Sequence, residues 1–475
     1  MTAMQYDAVV VGAGPNGLVG AITLARAGRK VLVLEAGATI GGGLRSAELS
    51  DAGFVHDICS TVQALGVASP AFHDLPLAAH GVEWCHADFP LAHPLDDGRA
   101  AVLRRDVAET ADALTPKDGN KYRRLVAPLV SHANPLVATF LSPLQMPRAP
   151  ILAARFGRHA IRSADGLARG RFDGDQPRAL LAGLSAHSIQ PLTGAGTAGY
   201  GLFLGMLAHA SGWPVARGGS QQLADALGAI LTELGGEIVT NHEVRDLHEI
   251  PSARTTLLDV TPRQLLQIGG DEITGRYRRA LTRYRYGPGV FKIDWALDGP
   301  IPWTNPDVRR AGTVHLGGRL EEITAAEAQV HAGQHPERPY VIVVQPTVMD
   351  PSRAPTGSHT AWAYCHVPNG STVDQTAPIE QQLERFAPGF RDVVRARATM
   401  NTAAMETHNA NYVGGDINGG AGDVRQLFTR PIASRHPWAT SIPGVYMCSS
   451  ATPPGGGVHG MCGLHAARLA LDRDR

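Results

Sequence analysis

Several features that would place this chain of 475 residues in a common protein class are missing. Its five cysteines form no Cys-x-x-Cys pair, which excludes disulfide-reductase chemistry and predicts reduced thiols. The formal net charge is zero, so nothing in the charge balance indicates a nucleic-acid partner. No apolar run is long enough to span a bilayer, and the 20 histidines show no spacing typical of a metal site. We therefore predict no metal ligands.

The rest of the composition is that of a folded enzyme. Hydrophobic residues make up 44% of the chain and charged residues 18%, as in globular proteins. The length predicts two domains rather than one core. Because a strand pattern starts almost at the N-terminus, we see no secretory signal and expect a cytoplasmic protein, whose oligomeric state the sequence leaves open.

The segment from Tyr6 to Gly37, YDAVVVGAGPNGLVGAITLARAGRKVLVLEAG, predicts a dinucleotide-binding βαβ unit. AVVV and VLVL are apolar runs typical of buried parallel strands, and a helical pattern lies between them. In the G-x-G-x-x-G motif, Gly12 permits a tight turn, Gly14 lets the backbone approach a pyrophosphate, and Gly17 lets helix and strand pack closely. Glu35 ends the second strand, where a carboxylate holds ribose hydroxyls.

A second glycine-rich loop lies near the other end of the chain. GVYMCSS, from Gly444, predicts a strand, Gly455 to Gly457 form the loop, and HGMCGLHAARLAL predicts a last helix that begins near His459. Glycines have no Cβ, so the backbone can lie against a flat ring, and a helix N-terminus favours negative charge. The two glycine-rich loops are therefore predicted to share one cofactor site.

The sequence just after Glu35, Gly41-Gly42-Gly43-Leu44-Arg45-Ser46, resembles the FAD-binding amine oxidase and phytoene desaturase superfamily. In that group Glu, a short spacer and Gly-Gly-x-x-Arg/Ser follow the first motif. The resemblance implies FAD as the cofactor, with Arg45 as a bidentate cation near its phosphates. The predicted FAD-binding residues are Gly12, Gly14, Pro15, Asn16, Gly17, Glu35, Ala36, Gly42, Gly43, Leu44, Arg45, Val244, Ser450, Gly456, Gly457, Val458 and His459.

The same resemblance implies an α/β fold, with a Rossmann-like FAD-binding domain of the GR2 flavoprotein type and an inserted α+β substrate domain. Residues 1–75, 216–270 and 400–475 are assigned to the discontinuous FAD-binding domain. Residues 76–215 and 271–399 are assigned to the substrate domain. Its first block has helical apolar patterns that predict a lid over an apolar cavity, with an ordinary helical core as the alternative, and its second block predicts a mixed sheet.

The segment from Ala216 to Val244 is a third α/β unit. In the family this segment returns the chain to the FAD domain, and the residue matching Val244 contacts the adenine through its backbone. Relatives then continue into a β-meander, whereas RDLHEIPSARTTLLDVTP here runs almost directly into the next strand. The meander is therefore predicted to be trimmed, which affects the adenine side of the site and not the flavin side.

Two residues are predicted to take part in catalysis. In VFKIDWALDGPIPW, alternation places Phe291 on one face and Lys292 and Asp294 on the other. Amine oxidases have a similar strand whose lysine holds a water at flavin N5, so the resemblance implies this role for Lys292. A structural Lys292–Asp294 ion pair is the alternative. His459 is predicted beside the flavin, where an imidazole can bond a carbonyl or shuttle a proton.

Four segments, VVVGAGPNGL, YVGGDINGG, PPGGGVHGMCG and VFKIDWALDGPIPW, together resemble the phytoene dehydrogenase-like oxidoreductases. The resemblance is strongest to the branch of pyridine nucleotide-disulfide oxidoreductase domain-containing protein 2. It implies hydride transfer from an apolar substrate to flavin N5, in desaturation or isomerisation of a C–C bond. A flavin amine oxidase is the alternative, which an aromatic content of 6% disfavours. A non-catalytic prenyl- or lipid-binding escort protein is the second alternative.

The stretch MPRAPILAARFGRHAIR, Met146 to Arg162, mixes four arginines, Arg148 among them, with apolar residues. Many desaturase relatives contact membranes, and a helix of this composition is able to rest on a membrane surface. The other interpretation is a solvated helix face. Peripheral membrane contact therefore stays open as a prediction.

Overall fold

The structure is a computed structural model that describes residues 5–142 and 150–474. Its strands are β1 (Ala8–Val11), β2 (Val31–Leu34), β3 (Ser46–Glu48), β4 (Val55–Asp57), β5 (Trp84–Cys85), β6 (Phe89–Pro94), β7 (Ala100–Leu103), β8 (Val215–Ala216), β9 (Glu237–Val239), β10 (Thr255–Leu258), β11 (Gly289–Leu297), β12 (Ala311–Leu316), β13 (Val341–Val344), β14 (His359–Val367), β15 (Val394–Met400) and β16 (Val445–Met447). Its α-helices are α1 (Pro15–Arg26), α2 (Ala64–Ala68), α3 (Pro70–His73), α4 (Val107–Asp112), α5 (Pro116–Val130), α6 (Ala133–Phe140), α7 (Pro150–Ala160), α8 (Ala164–Arg171), α9 (Asp175–Ala186), α10 (Thr197–Ala210), α11 (Gln221–Glu233), α12 (Pro262–Ile268), α13 (Gly275–Thr282), α14 (Leu320–His331), α15 (Pro346–Met349), α16 (Thr376–Phe386), α17 (Thr402–His408), α18 (Val424–Thr429) and α19 (Met461–Arg473).

A five-stranded parallel sheet joins the two ends of the chain. Its strand order is β16-β10-β1-β2-β9, and β1 pairs in register with both β2 and β10. Every residue of β1 and β2 is buried, as their unbroken apolar runs predict for strands covered on both faces. Parallel neighbours require helical crossovers, and α1 and α11 supply them on one face. The predicted α/β class with a Rossmann-like domain is confirmed.

Helices α1 and α19 pack with their backbones in close contact. A Cβ built on Gly463 would lie 1.8 Å from the carbonyl oxygen of Asn16 and 2.9 Å from the amide nitrogen of Gly20. Only glycine allows this approach, since real Cβ atoms need more than 3.0 Å. The last helix is therefore fixed directly against the helix of the N-terminal motif.

The other face of this sheet is covered by α12 and α13. Leu265, Ile268, Tyr277 and Leu281 share one core cluster with the sheet residue Val9. Between β9 and β10 the structure has a short 3₁₀ turn at Leu247–Glu249 and no strand, which agrees with the trimmed meander. Since α13 belongs to this core, the first domain continues beyond the predicted boundary at residue 270.

The second sheet is mixed and has seven strands in the order β15-β11-β14-β13-β12-β6-β7. Neighbouring strands run antiparallel, except β6 and β12, which are parallel. Phe291 and Ile293 of β11 pack with Leu383 and Phe386 of α16 on one face, as the alternation predicts. Strands β6 and β7 come from the first block of the substrate domain, which the sequence had predicted only as helical.

Helices α5 to α10 form a layer over the other face of the seven-stranded sheet. Leu91 and Leu103 of that sheet share a core cluster with Leu180 and Leu184 of α9. Most apolar side chains of the helical block thus form core, while Leu204 faces the cavity described below, and the lid stays a prediction.

A buried ionic cluster links two short strand pairs, β3-β4 and β5-β8, to the chain that follows α15. Arg353 is fully buried, and its guanidinium lies 3.1 Å from Asp57 Oδ2 and 3.0 Å from Asp350 Oδ2. It also donates a hydrogen bond to the carbonyl oxygen of Ala216. Asp350 accepts a further hydrogen bond from the amide of Gly218, so each carboxylate has several partners. The cluster therefore connects segments that are far apart in sequence, namely β4, β8 and the chain after α15.

The basic stretch predicted to contact membranes lies only partly within the described residues. Arg148 lies outside them, while residues 150–160 form α7. On and next to α7, Ile151 is 73% exposed and Ile161 is 65% exposed. No helix in the described ranges has the length and apolar content needed to cross a bilayer.

Candidate active site

One continuous crevice runs from the carboxyl ends of β1 and β2 to the face of the seven-stranded sheet. Its volume is about 620 Å³. Gly12 and Gly14 line it at one end of the chain, and Gly457 and Val458 line it at the other. The two glycine-rich loops therefore share one space, as the sequence predicts.

The N-terminal loop has the geometry that its glycines imply. Gly12 adopts a φ of +96°, which side chains other than glycine rarely allow. A Cβ on Gly17 would lie 2.0 Å from the carbonyl oxygen of Gly12, so the third glycine permits the close packing of helix on strand. Gly17 does not line the crevice itself. Pro15 and Asn16 do line it, at the start of α1.

Asp259, at the end of β10, lies beneath this loop. Its Oδ2 accepts a hydrogen bond of 3.0 Å from the amide of Gly17, one of the amides that α1 offers to an anion. Burial, together with the nearby Glu35 carboxylate, raises the pKa of Asp259 to about 7, although the Gly17 hydrogen bond opposes the rise. The N-terminal loop, which is predicted to bind a pyrophosphate, thus packs against the carboxyl group of Asp259.

Glu35 and Arg45 form an ion pair at the end of β2. Glu35 accepts hydrogen bonds from the amides of Ala13 and Gly37, both at 2.7 Å, and Arg45 Nη2 lies 2.8 Å from Glu35 Oε1. Arg45 also donates to the carbonyl oxygen of Thr39. Both side chains line the crevice together with Ala36. Arg45 therefore orders the carboxylate and its loop, a role that the sequence did not predict.

The second glycine pair lies directly against the first motif. A Cβ on Gly42 would lie 3.1 Å from the Cα of Gly14, and one on Gly43 would lie 2.4 Å from the hydroxyl oxygen of Tyr412. Both glycines line the crevice. Leu44 does not, because its side chain is fully buried in the hydrophobic core, so its predicted place in the cofactor site is wrong.

The C-terminal loop contributes Ser450, Gly457 and Val458 to the crevice, but not Gly456 or His459. A Cβ on Gly456 would lie 2.9 Å from the carbonyl oxygen of Asn418, so this glycine packs on a neighbouring loop.

His459 is fully buried within its own loop. Its Nε2 lies 3.2 Å from the carbonyl oxygen of Gly455, and its Nδ1 accepts a hydrogen bond from the amide of Met461. Burial lowers the pKa of His459 to about 4. The predicted catalytic position is therefore corrected: both ring nitrogens hold the loop at the start of α19, and neither faces the crevice.

Lys292 lies in the crevice wall and forms an ion pair with Asp294, which is the alternative that the sequence left open. Both side chains are buried, and the Lys292 ammonium lies 5.3 Å from the ring centre of Trp362. Burial raises the pKa of Asp294 to about 6, although the Lys292 charge opposes this. His56 Nδ1 lies 3.5 Å from Asp294 Oδ1, and burial lowers the pKa of His56 to about 3.

The seven-stranded sheet forms the floor of the wider part of the crevice. Lys292 pairs with Tyr364, Tyr364 with Ile342, and Ile342 with His315, so these residues form one row across the sheet. A second row on the same face consists of Asp294, Trp362, Val344 and Thr313. Helix α10 and the chain around it place Leu204 and Trp213 in the lining, and His187 follows α9 there. Most of this wall is apolar.

Val244 lines the end of the crevice near Glu35, as the sequence predicts, with His242, Thr261 and Gln264 beside it. The predicted residues that line the crevice are Gly12, Gly14, Pro15, Asn16, Glu35, Ala36, Gly42, Gly43, Arg45, Val244, Lys292, Ser450, Gly457 and Val458.

Comparison with known proteins agrees with this geometry. Residues 10–74 match the family described as NAD(P)-binding Rossmann-like domain. The chain is 26% identical to pyridine nucleotide-disulfide oxidoreductase domain-containing protein 2 of Rattus norvegicus, over 98% of this chain and 93% of the relative. It is 25% identical to the neurosporene-forming phytoene desaturase of Rhodobacter capsulatus, over 52% and 51% of the two chains. An engineered putrescine oxidase superposes with a TM-score of 0.65 at 17% identity, over 99% of both chains.

The chain is thus similar in sequence to a phytoene desaturase and to pyridine nucleotide-disulfide oxidoreductase domain-containing protein 2, and it has the fold of the solved putrescine oxidase. The crevice has residues that the sequence did not reveal, among them Asp259, His187 and Tyr364. One sequence feature could have identified Asp259, since it is a polar residue at the end of an apolar strand. The alternation in HTAWAYCHV is another, since it places Trp362 and Tyr364 on one face. His187 has no such feature, because its position depends on how α9 packs.

Proposed function

We propose that this chain is an FAD-dependent oxidoreductase that dehydrogenates, or isomerises, an apolar C–C bond. The observation that carries the proposal is the single crevice, which joins the glycine-rich cradle to an apolar cavity on the seven-stranded sheet. Residues of both glycine-rich loops, among them Gly14 and Val458, would hold a dinucleotide in this crevice.

The residues present fit FAD at several points. A Cβ on Gly14 would lie 2.8 Å from Asp259 Oδ2, so a side chain there would have to displace this carboxyl group, which is bonded to the Gly17 amide. Glu35 ends β2 where a ribose would lie, and the buried Oδ1 of Asn16 has no hydrogen-bond partner among the described residues. When bound, FAD supplies a ring that accepts a hydride.

The chain's own residues would place the substrate and exclude water. Leu204, Trp213, Ile342 and Val344 give the cavity apolar walls, which favour a hydrocarbon skeleton over water. Lys292, held by Asp294, keeps a cation fixed at the border between the cavity and the cofactor part of the crevice. A fixed charge in a poorly hydrated wall stabilises negative charge that develops during reaction.

Anaerobic reduction tests the proposal. Purified protein loaded with FAD is mixed with unsaturated or saturated terpenoid hydrocarbons under argon, and the flavin absorbance is followed. We expect bleaching with an apolar substrate and none with polar metabolites of equal size. A protein that binds no FAD would refute the proposal outright.

Amine oxidation is the second candidate, because the cavity contains an aromatic pair that the sequence had argued against. Trp362 and Tyr364 stack with ring centres 5.6 Å apart and planes inclined by 13°. Aromatic faces bind cationic groups. The Lys292 ammonium already lies over the Trp362 ring, however, which disfavours a second cation there. Hydrogen peroxide release with simple amines, and not with hydrocarbons, would favour this candidate.

A further inference from the structure

Two histidines at one edge of the cavity floor form an unusual contact. His187 Nε2 lies 3.0 Å from His315 Nε2, so one of these nitrogens carries a proton and the other accepts it. Burial lowers the pKa of His187 to about 3 and that of His315 well below its usual value, so both rings are neutral at pH 7. The contact is therefore a hydrogen bond between two neutral imidazoles.

The surroundings of His315 decide which ring donates. Its Nδ1 is buried and has no hydrogen-bond partner among the described residues. A buried N–H without an acceptor is more costly than a bare nitrogen lone pair, which places the proton of His315 on Nε2. His187 then accepts at Nε2 and carries its own proton on Nδ1.

The Nδ1–H of His187 is available to a ligand. It bonds to none of the described residues, and the partly buried ring lines the cavity. The hydroxyl of Tyr364, on the floor between His315 and Lys292, likewise bonds to no described residue, and its ring is also partly buried. Around these two groups the walls are apolar, with Trp213, Ile342 and Leu204 in the lining.

The position of this donor relative to Lys292 follows from the sheet. His315, Ile342, Tyr364 and Lys292 occupy one row on neighbouring strands. Neighbouring strands lie about 4.8 Å apart, so three spacings separate His315 from Lys292 by about 14 Å. A molecule that lies along this row crosses Ile342 between the histidine pair at one end and Tyr364 and Lys292 at the other.

We propose that the substrate is an apolar molecule with one oxygen acceptor, of the ketone, ester or alcohol class, which accepts a hydrogen bond from Nδ1–H of His187. This inference rests on the proposed function and names the substrate class of that same site. In this arrangement the reacting bond lies near Lys292 and the oxygen lies at the end of the row formed by His187 and His315, where His315 is about three strand spacings, or about 14 Å, from Lys292. His187 is then a specificity residue that binds the substrate remote from the chemistry.

Ligand binding to the FAD-loaded protein tests the inference without turnover. The probes are 2-decanone and 1-decene, which have similar length and differ in the oxygen acceptor. Binding is followed by tryptophan fluorescence, because Trp213 and Trp362 line the cavity. The variants are His187→Leu, which removes the donor, and His187→Gln, which keeps an N–H. The control is His335→Leu, whose histidine bonds to Ser371 and does not line the cavity.

We expect His187→Leu to weaken 2-decanone binding about tenfold and to change 1-decene binding less than about twofold, since one hydrogen bond is lost. His187→Gln should retain most of the ketone affinity, and the control should match the wild type. Equal weakening of both probes would assign His187 to packing and overturn the inference. So would unchanged ketone binding in His187→Leu, or no binding of either probe to wild-type holoprotein. A protein that takes up no FAD would instead defeat the proposed function.

Discussion

We expect the carboxyl group of Asp259 to make FAD binding pH-dependent, and Asp259→Asn tests this. Asp259 bonds to the Gly17 amide at 3.0 Å, in the cradle where a pyrophosphate is expected. The groups that face it are the Glu35 carboxylate and the buried thiols of Cys448 and Cys462. Burial raises the pKa of both thiols, so they stay neutral. No cation among the described residues pairs with Asp259 in a salt bridge.

The sign of the effect follows from linkage. Burial and Glu35 raise the pKa of Asp259 to about 7 in the protein without cofactor. The negative charge of a bound pyrophosphate raises that pKa further, so binding takes up a proton at pH values above 7. FAD affinity is then constant below that pKa and falls about tenfold for each pH unit above it. Between pH 6 and pH 8 we expect the Kd for FAD to rise about tenfold.

The assay is the quenching of FAD fluorescence by apoprotein at pH 6 and pH 8 and constant ionic strength. The Asp259→Asn side chain keeps an oxygen that accepts the hydrogen bond from the Gly17 amide, but this side chain cannot ionise. Its Kd should be the same at both pH values and close to the wild-type value at pH 6. The control is Asp118→Asn. Asp118 is a buried aspartate that accepts hydrogen bonds from the amides of Asp173 and Gly174, and none of these three residues lines the crevice. A wild-type Kd that is flat or falls with pH, or an Asp259→Asn variant that keeps the dependence, would refute the reasoning.

Three further predictions follow from packing and charge. Arg353→Met leaves the fully buried carboxylates of Asp57 and Asp350 without their cation, and should lower the free energy of unfolding by about 3–5 kcal/mol in urea titrations. The control, Arg99→Met, removes a surface ion pair and should change the free energy of unfolding little. Gly17→Ala inserts a Cβ 2.0 Å from the Gly12 carbonyl oxygen, so this variant should lose its FAD on gel filtration. Gly28→Ala is the control: it has a strained backbone at φ +78°, but no atom lies within 4 Å of the new Cβ, so it should retain FAD. Ile151→Ser with Ile161→Ser should reduce sedimentation with anionic vesicles if the exposed isoleucines contact membranes, and equal sedimentation of variant and wild type would contradict membrane contact there.

The local elements of the first domain were readable from sequence because their signals are local. AVVV, VLVL and the glycines between them define β1, α1 and β2 within a residue or two. The close approach of α1 and α19 was not readable, because it depends on Gly463 meeting Asn16 across the whole length of the chain. The same holds for strand β6, whose partner β12 lies about two hundred residues away in sequence, and for β7, which joins the sheet through β6.

The candidate site divides in the same way. Residues that act through backbone conformation, such as Gly12 and Gly14, were found because glycine itself carries the signal. His459 was misplaced because a histidine after a glycine-rich loop has the same sequence signal whether its ring faces the site or caps the loop. His187 was missed because it reaches the cavity only through tertiary packing.

The central claim is that one FAD lies in the crevice between the two glycine-rich loops. The most direct measurement is the amount of FAD that each chain retains after purification and dialysis against excess FAD, read from the absorbance of flavin released by denaturation. The account predicts one FAD per chain in the wild type and none in Gly14→Val, whose side chain would meet Asp259 Oδ2 at 2.8 Å. A colourless wild-type protein that takes up no FAD, or equal retention by Gly14→Val, would contradict it.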